Sequence, residues 1–249
     1  MKIEVKGLSW SAGRRRILDD VSFSLEGDRI YGIAGPNGCG KTTLLRHLYR
    51  QYPSKGRVFL NDRPVEQYSR KEYARQIAVM AQTQAYGESE LRVGEVVING
   101  RFPYKKAMLP YNREDEAIVE DVLRRTDLWQ MRNRKIRTLS GGELQRVLIS
   151  KCLVQQPGAI LLDEPTNHLD IRYKLELMGL LKDFGGMVIL TIHDLNLAAR
   201  YCDELLLMKD GRLIARGDPG EALSAENVGY AFGVEVPVIR LDGRTYLGV

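Results

Sequence analysis

The sequence predicts an α/β fold: a mostly parallel sheet covered on both faces, an antiparallel β side sheet, and an inserted helical lobe. Three observations predict it. From Gly158 onward, short apolar runs alternate with segments of helical spacing, the order that builds parallel sheets. The early runs alternate apolar and polar residues, as half-buried strands do. Between about Leu91 and Gln156 the pattern is helical throughout.

Taken in order, "MKIEVKGLSW" alternates apolar and charged residues and reads as a strand, not a signal peptide. "VSFSL" (21–25) repeats that alternation, and "RIYGIAG" (29–35) is a more continuous, buried run ending in glycine. "KTTLLRHLYRQY" (41–52) puts Leu44, Leu45, Leu48 and Tyr49 on one side of a helix. "GRVFLND" (56–62) and "QIAVMAQ" (76–82) are further strands. "VGEVVING", "REDEAIVEDVLRRT" and the run after Gly142 are the helices of the lobe. Then come strand "GAILLDE" (158–164), helix "YKLELMGLLKDFG" (173–185), strand "GMVILTIHD" (186–194) and helix "LNLAARYCD" (195–203). "ELLLMKDGRLIAR" (204–216) is a hairpin around Asp-Gly, a dipeptide that tolerates the positive φ of such turns. A second Asp-Gly, in "VIRLDGRTYLG", predicts a C-terminal hairpin. The division expected is one domain over 1–249. Its core and side sheet lie at 1–84 and 157–233, the helical lobe at 85–156, and the hairpin at 234–249.

The 249 residues are 44% hydrophobic and 28% charged, an ordinary globular composition with enough apolar residues for one sizeable core. No apolar stretch reaches the roughly 18 residues of a membrane span. Cys39, Cys152 and Cys202 are odd in number and form no CxxC pair, which fits a reducing, cytosolic compartment. The net charge of +5 suits nucleic acid, anionic lipid or nucleotide equally, and does not choose among them.

"GPNGCGKTT" (35–43) fits the phosphate-loop pattern G-x-x-x-x-G-K-[ST]. Gly35, Gly38 and Gly40 let the backbone turn so that successive N–H groups, with those around Pro36, Asn37 and Cys39, face an anion. The helix opening at Lys41, Thr42 and Thr43 adds its positive end. Lys41 can reach β- and γ-phosphates and the Thr42 hydroxyl can ligate Mg²⁺. Cys39 is either a small filler or a thiol whose pKa a helix N-terminus lowers. "AILLDEP" is a buried strand ending in two acids, at the carboxyl edge where such sheets bind ligands. Asp163 is placed to hold Mg²⁺ through water, and Glu164 to polarise an attacking water. "LTIHD" brings His193 to the same edge, within reach of a γ-phosphate oxygen. Gln82 ends another apolar strand, which by position alone says little. In "LSGGELQR" (139–146), Ser140, Gly141 and Gly142 open a helix, a second place for an anion.

These residues resemble ABC-type ATPase subunits over nearly the whole chain. "GPNGCGKTT", the Gln82 loop, "LSGGELQR", "AILLDE", "NHLD" and "TIHD" follow one another in that family's order. The resemblance implies a P-loop NTPase core of the ABC ATPase fold, hydrolysing ATP with Mg²⁺. It implies head-to-tail pairing of two copies, with Ser140, Gly141 and Gly142 on the γ-phosphate of the nucleotide held by the partner, and Asp170 beside that interface. It further implies that Gln82 ligates Mg²⁺ and links the site to a membrane-spanning permease, docked near Tyr86 to Arg101. "GRFPY", "DEPTNHLDI" and "HDLNLAARYCDELLLMKDGRLIARG" are similar to the ATPases of iron-chelate, heme and cobalamin importers, which sit peripherally on the cytoplasmic face of the membrane and work with an external binding protein. The family's aromatic residue for adenine is replaced by Ala12. Three solutions stay open: Trp10 stacks on the base, Arg14 to Arg16 cover it, or stacking is lost, and Trp10 is otherwise a plain packing residue. A rival reading, a soluble ABC ATPase on ribosome or DNA, draws on "RNRKIR" (132–137) but lacks the second ATPase domain or coiled coil such proteins carry. A P-loop kinase would leave "LSGGE" without a purpose. No nucleic-acid partner is expected.

Overall fold

The computed structural model describes residues 1–81, 89–106, 108–167, 169–241 and 244–248. It divides into two compact units: Met1–Tyr68 with Leu161–Glu164 and Gly185–Val249, and Ser69–Ile160 with Pro165–Phe184.

The first unit opens with β1 (Lys2–Ala12) and β2 (Arg15–Glu26), paired antiparallel with Ile3 opposite Leu25 and Val5 opposite Phe23. Their alternation buries Ile3, Val5, Leu18, Val21, Phe23 and Leu25 on one face, as period 2 demands. After β3 (Ile30–Ala34), buried at every position, comes α1 (Lys41–Leu48). The helix stops short of the 41–52 expected. Arg50 takes a left-handed φ of 62°, and Pro53 disfavours helical backbone at the residue before it. Burying Leu44, Leu45 and Leu48 stabilises the α1 packing by roughly 1.5–3 kcal/mol per side chain. β4 (Val58–Leu60) and β5 (Arg63–Pro64) complete a side sheet of order β2-β1-β4-β5.

The second unit contains α2 (Arg70–Gln76), β6 (Ile77–Met80), α3 (Val93–Ile98), α4 (Arg113–Arg125) and α5 (Gly141–Val154), then leads into β7 (Ala159–Leu162) and on to α6 (Ile171–Lys182). α2 is not among the helices expected from the sequence; Ser69 and Glu72 cap it reciprocally. Val93, Val96, Val97, Val119, Val122, Leu123, Val147 and Val154 form the unit's apolar core. The unit reaches beyond the 85–156 expected of a helical lobe because α5 holds its neighbours on both sides. Gln155 Nε2 donates to the carbonyls of Ala74 and, at 2.8 Å, Ile77, while Arg146 pairs with Glu176 at 2.6 Å. Arg101 is no part of a docking surface. It is 5% exposed, and its guanidinium donates to Asp115 at 2.8 Å and to Val154 O and Gln156 at 2.9 Å each. A buried guanidinium has to find such partners. Tyr86, at the other end of that expected surface, lies outside the described residues.

The first unit resumes with β8 (Met187–Thr191), α7 (Leu195–Tyr201), β9 (Glu204–Lys209), β10 (Arg212–Gly217), α8 (Pro219–Ala222), α9 (Ala225–Phe232), β11 (Val238–Leu241) and β12 (Arg244–Leu247). Its main sheet runs β10-β9-β3-β8-β7, with β3 parallel to both β8 and β9; in the second unit β6 lies beside β7. The β9–β10 turn is Asp210 and Gly211 at φ 47° and 81°, the positive pair a type I′ hairpin needs. β11 and β12 form the expected C-terminal hairpin, whose Leu247 N–H and C=O are both bonded to the Asn196 amide. Among the described residues no helix is long and apolar enough to cross a membrane.

Candidate active site

The site in the first unit is built where β3, β7 and β8 end. β3 runs into the loop 35–40. A Cβ on Gly35 would stand 2.2 Å from Met208 O, and one on Gly40 2.8 Å from Ile17 O; both residues have positive φ, 147° and 109°. Only glycine fits either place, so the loop wraps tightly while Asn37 and Gly38 stay exposed at its tip. Lys41 is 5% exposed and its Nζ donates to Gly35 O at 2.7 Å and Pro36 O at 3.0 Å. The ammonium is thus held against the carbonyls of the loop it follows. Thr43 is half-buried in the first turn of α1.

β7 delivers Asp163, and β8 delivers a residue the sequence reading missed. Thr191 Oγ1 donates to Asp163 Oδ1 at 2.8 Å, and Thr42 Oγ1 donates to the same oxygen at 3.0 Å. Thr191 Oγ1 also accepts from the Glu164 N–H at 2.7 Å. Thr191 is fully buried; its signal in the sequence was a hydroxyl ending the run "MVILT". Glu164 sits at a left-handed φ of 51°, a conformation that costs a non-glycine residue of order 1 kcal/mol or more. That turn swings its carboxylate toward His193, and Glu164 Oε1 lies 2.7 Å from His193 Nε2. The expected residues Thr42, Asp163, Glu164 and His193 are therefore linked, through Thr191, into one cluster, while Lys41 is held by the loop carbonyls beside it. Gln82 lies outside the described residues.

Cys39 is 4% exposed, and burial pushes its thiol up, not down. Desolvation outweighs the adjacent Lys41 charge and the helix N-terminus, so Cys39 is the filler of the loop. Trp10 stacks on Tyr52, with centroids 4.7 Å apart and planes at 11°, and meets His47 edge-on at 5.8 Å. The half-buried indole thus has its packing partners within the chain. Arg14 to Arg16 are exposed, Arg16 paired with Asp19 at 2.6 Å.

In the second unit, Ser140 caps α5. Its Oγ accepts from Glu143 N at 3.3 Å, and Glu143 Oε2 accepts from Ser140 N at 2.7 Å. That backbone bond, with Arg134 nearby, holds the Glu143 carboxyl below its usual range. Gly141 and Gly142 form the first turn, whose N–H groups have no acceptor within the helix. Asp170 is likewise a cap: its carboxylate accepts from Tyr173 N at 3.0 Å at the start of α6. The basic run 132–137 is tied up locally. Arg134 pairs with Glu143 at 3.3 Å, and Lys135 and Arg137 share Glu90 at 2.6 and 2.8 Å.

A family model described as ABC transporter matches residues 18–167. The hemin import ATP-binding protein HmuV of Pseudomonas putida is 40% identical over 245 residues, 95% of this chain and 94% of that one. The ferric enterobactin transport ATP-binding protein FepC of Escherichia coli is 34% identical over 237 residues, 93% of this chain and 87% of the relative. Among solved structures, the ADP conformation of MJ1267, an ATP-binding cassette of an ABC transporter, superposes with a TM-score of 0.81 at 24% identity, covering 94% of this chain and 98% of that one.

Proposed function

The chain belongs to the ABC transporter family and is one of its ATPases, and from that premise we propose that it powers import of an iron chelate, heme or cobalamin through a partner permease. In this reading it sits peripherally on the cytoplasmic face of the membrane, and an external binding protein delivers the cargo. Two copies pair head to tail, each contributing its Ser140–Gly142 turn to the γ-phosphate bound by the other. The import class rests on similarity to relatives that carry hemin and ferric enterobactin import in their names.

The observation that carries the chemistry is the Thr42–Asp163–Thr191 hydroxyl–carboxylate knot beside the Glu164–His193 contact. Hydroxyl and carboxylate oxygens are the hard donors that a small dication takes, so Thr42 and Asp163 fit Mg²⁺. When bound, that ion neutralises charge on the β- and γ-phosphates. Lys41 leaves the loop carbonyls for phosphate oxygens. Glu164 accepts a hydrogen bond from the attacking water and aligns it with the γ-phosphorus. The water oxygen bonds to that phosphorus as the bond to the β–γ bridging oxygen breaks, giving ADP and phosphate. His193 keeps the Glu164 carboxylate in place and offers its ring to a γ-phosphate oxygen.

The test is reconstitution with the permease and binding protein. Hydrolysis should rise when a ferric siderophore, heme or cobalamin is supplied, and transport of one of them should follow. Hydrolysis indifferent to all three but stimulated by ribosomes would overturn the import reading.

A further inference from the structure

Gly141 and Gly142 adjoin at the first turn of α5, yet the chain around them treats them differently. Neither has a positive φ, so the backbone requires glycine at neither position. A Cβ on Gly141 would meet nothing within 4 Å among the described residues. One on Gly142 would stand 3.0 Å from Cγ of Tyr173, 3.1 Å from Cδ2 and 3.3 Å from Cδ1. Carbon atoms prefer about 3.5–4.0 Å, so the ring already occupies that space. Nor is the ring loose. Tyr173 lies in the first turn of α6, with its N–H bonded to the Asp170 carboxylate at 3.0 Å. The Arg146 guanidinium stands 5.5 Å from the ring centroid and is tied to Glu176 at 2.6 Å, and Arg172 holds the other oxygen of Glu176 at 2.8 Å.

We propose that Tyr173 is a positioning residue for the phosphate-contacting turn Ser140–Gly142: its ring, seated on the bare Cα of Gly142, sets how the N-terminus of α5 stands on α6. The proposal rests on the reading of that turn as the γ-phosphate contact of a second copy. Glycine at 142 answers to a ring of its own chain. Glycine at 141 has no such neighbour, and its bareness serves the nucleotide.

A double-mutant cycle on the full chain tests this, with melting temperature, steady-state ATP hydrolysis and affinity for a fluorescent ATP analogue as readouts. Gly142→Ala should lower the melting temperature and cut hydrolysis on the order of tenfold, because small misplacements of a contacting group are costly. Adding Tyr173→Ala to it should recover roughly threefold of that loss instead of compounding it. Tyr173→Ala alone should slow turnover with affinity for the analogue unchanged, since the phosphate loop is untouched. Tyr173→Phe keeps the ring carbons that make the contact and should restore turnover. The proposal is overturned if the double variant hydrolyses ATP no faster than Gly142→Ala, or if Tyr173→Phe is as slow as Tyr173→Ala. Gly141→Ala separates the two levels. If it is inactive while the cycle fails, only the part given to Tyr173 falls. If Gly141→Ala and Ser140→Ala both hydrolyse ATP at the unmodified rate, the underlying reading of the turn falls with it.

Discussion

Thr191 gives one hydroxyl to two neighbours: it donates to the Asp163 carboxylate and accepts from the Glu164 amide. Thr191→Val keeps the shape and removes both bonds, taking the Thr191 acceptor from the half-buried Glu164 N–H. We expect a loss of about 1–3 kcal/mol in urea unfolding, together with weaker Mg²⁺ dependence of nucleotide binding. Unchanged stability would mean that the two partners rearrange at no cost. Glu164→Gln tests the next residue. The amide retains the shape but loses the charge proposed to orient water, so ATP should still bind while turnover falls about 10²–10⁴-fold. Steady-state hydrolysis near the unmodified rate would remove Glu164 from the mechanism. Cys39 makes a third case. Its thiol is buried and its pKa raised, so little thiolate exists near neutral pH, and alkylation of the native chain should be slow. Cys152 and Cys202, both pushed up to about 12 by burial, should behave alike. Mass spectrometry after iodoacetamide should find all three unlabelled in the native chain and labelled in urea; rapid native labelling of Cys39 would contradict its burial.

At the scale of elements, the N-terminus of α5 combines two duties. Ser140 and Glu143 satisfy each other's backbone N–H groups, which holds the helix end in place whatever ligand it meets. Substitution separates the duties. Ser140→Ala removes the cap and should cost about 1 kcal/mol of stability. Ser140→Asp retains a good cap, so the melting temperature should stay close to that of the unmodified chain, while its charge should repel a γ-phosphate and abolish hydrolysis. Full hydrolysis by Ser140→Asp would show that the turn only caps. α6 follows the same construction, with Asp170 as its cap. A residue that the family resemblance assigns to an interface thereby has a local structural task as well.

At the scale of the whole molecule, the two turns proposed to contact phosphate lie in different compact units, one at 35–43 and the other at 140–142. Head-to-tail pairing makes a specific demand on mixtures. In Lys41→Ala the phosphate loop is broken; in Gly142→Asp the added side chain meets the Tyr173 ring and disrupts the turn proposed to contact the γ-phosphate. Each variant alone spoils both composite sites of its dimer. A mixed dimer has one site with Lys41 and Gly142 both intact and another with both defects. Mixing the two inactive proteins should therefore restore part of the hydrolysis if the turns act between chains. A photoreactive γ-phosphate analogue, bound to the chain with intact Lys41, should label the Ser140 region of its partner; labelling confined to the binding chain would exclude pairing between chains.

The sequence by itself determined most of the order of strands and helices, α2, α8 and α9 excepted, and with it the phosphate loop, the paired acids Asp163 and Glu164, and His193. Each is written in a few consecutive residues: glycines at fixed spacing, an apolar run ending in charge, an Asp-Gly turn. The tertiary structure alone decided which side chains meet across the chain. Thr191 joins Thr42 and Asp163 from 149 and 28 positions away only because β3, β7 and β8 end at the same edge of one sheet. Arg101 was expected on a surface and is buried, because Asp115 and the end of α5 converge on it. The sequence leaves Cys39 open between a filler and an activated thiol, and burial decides for the filler, while Trp10 meets Tyr52 from a distant part of the chain. Local chemistry is carried by neighbours along the chain; desolvation and packing depend on neighbours in space, which only the folded chain supplies.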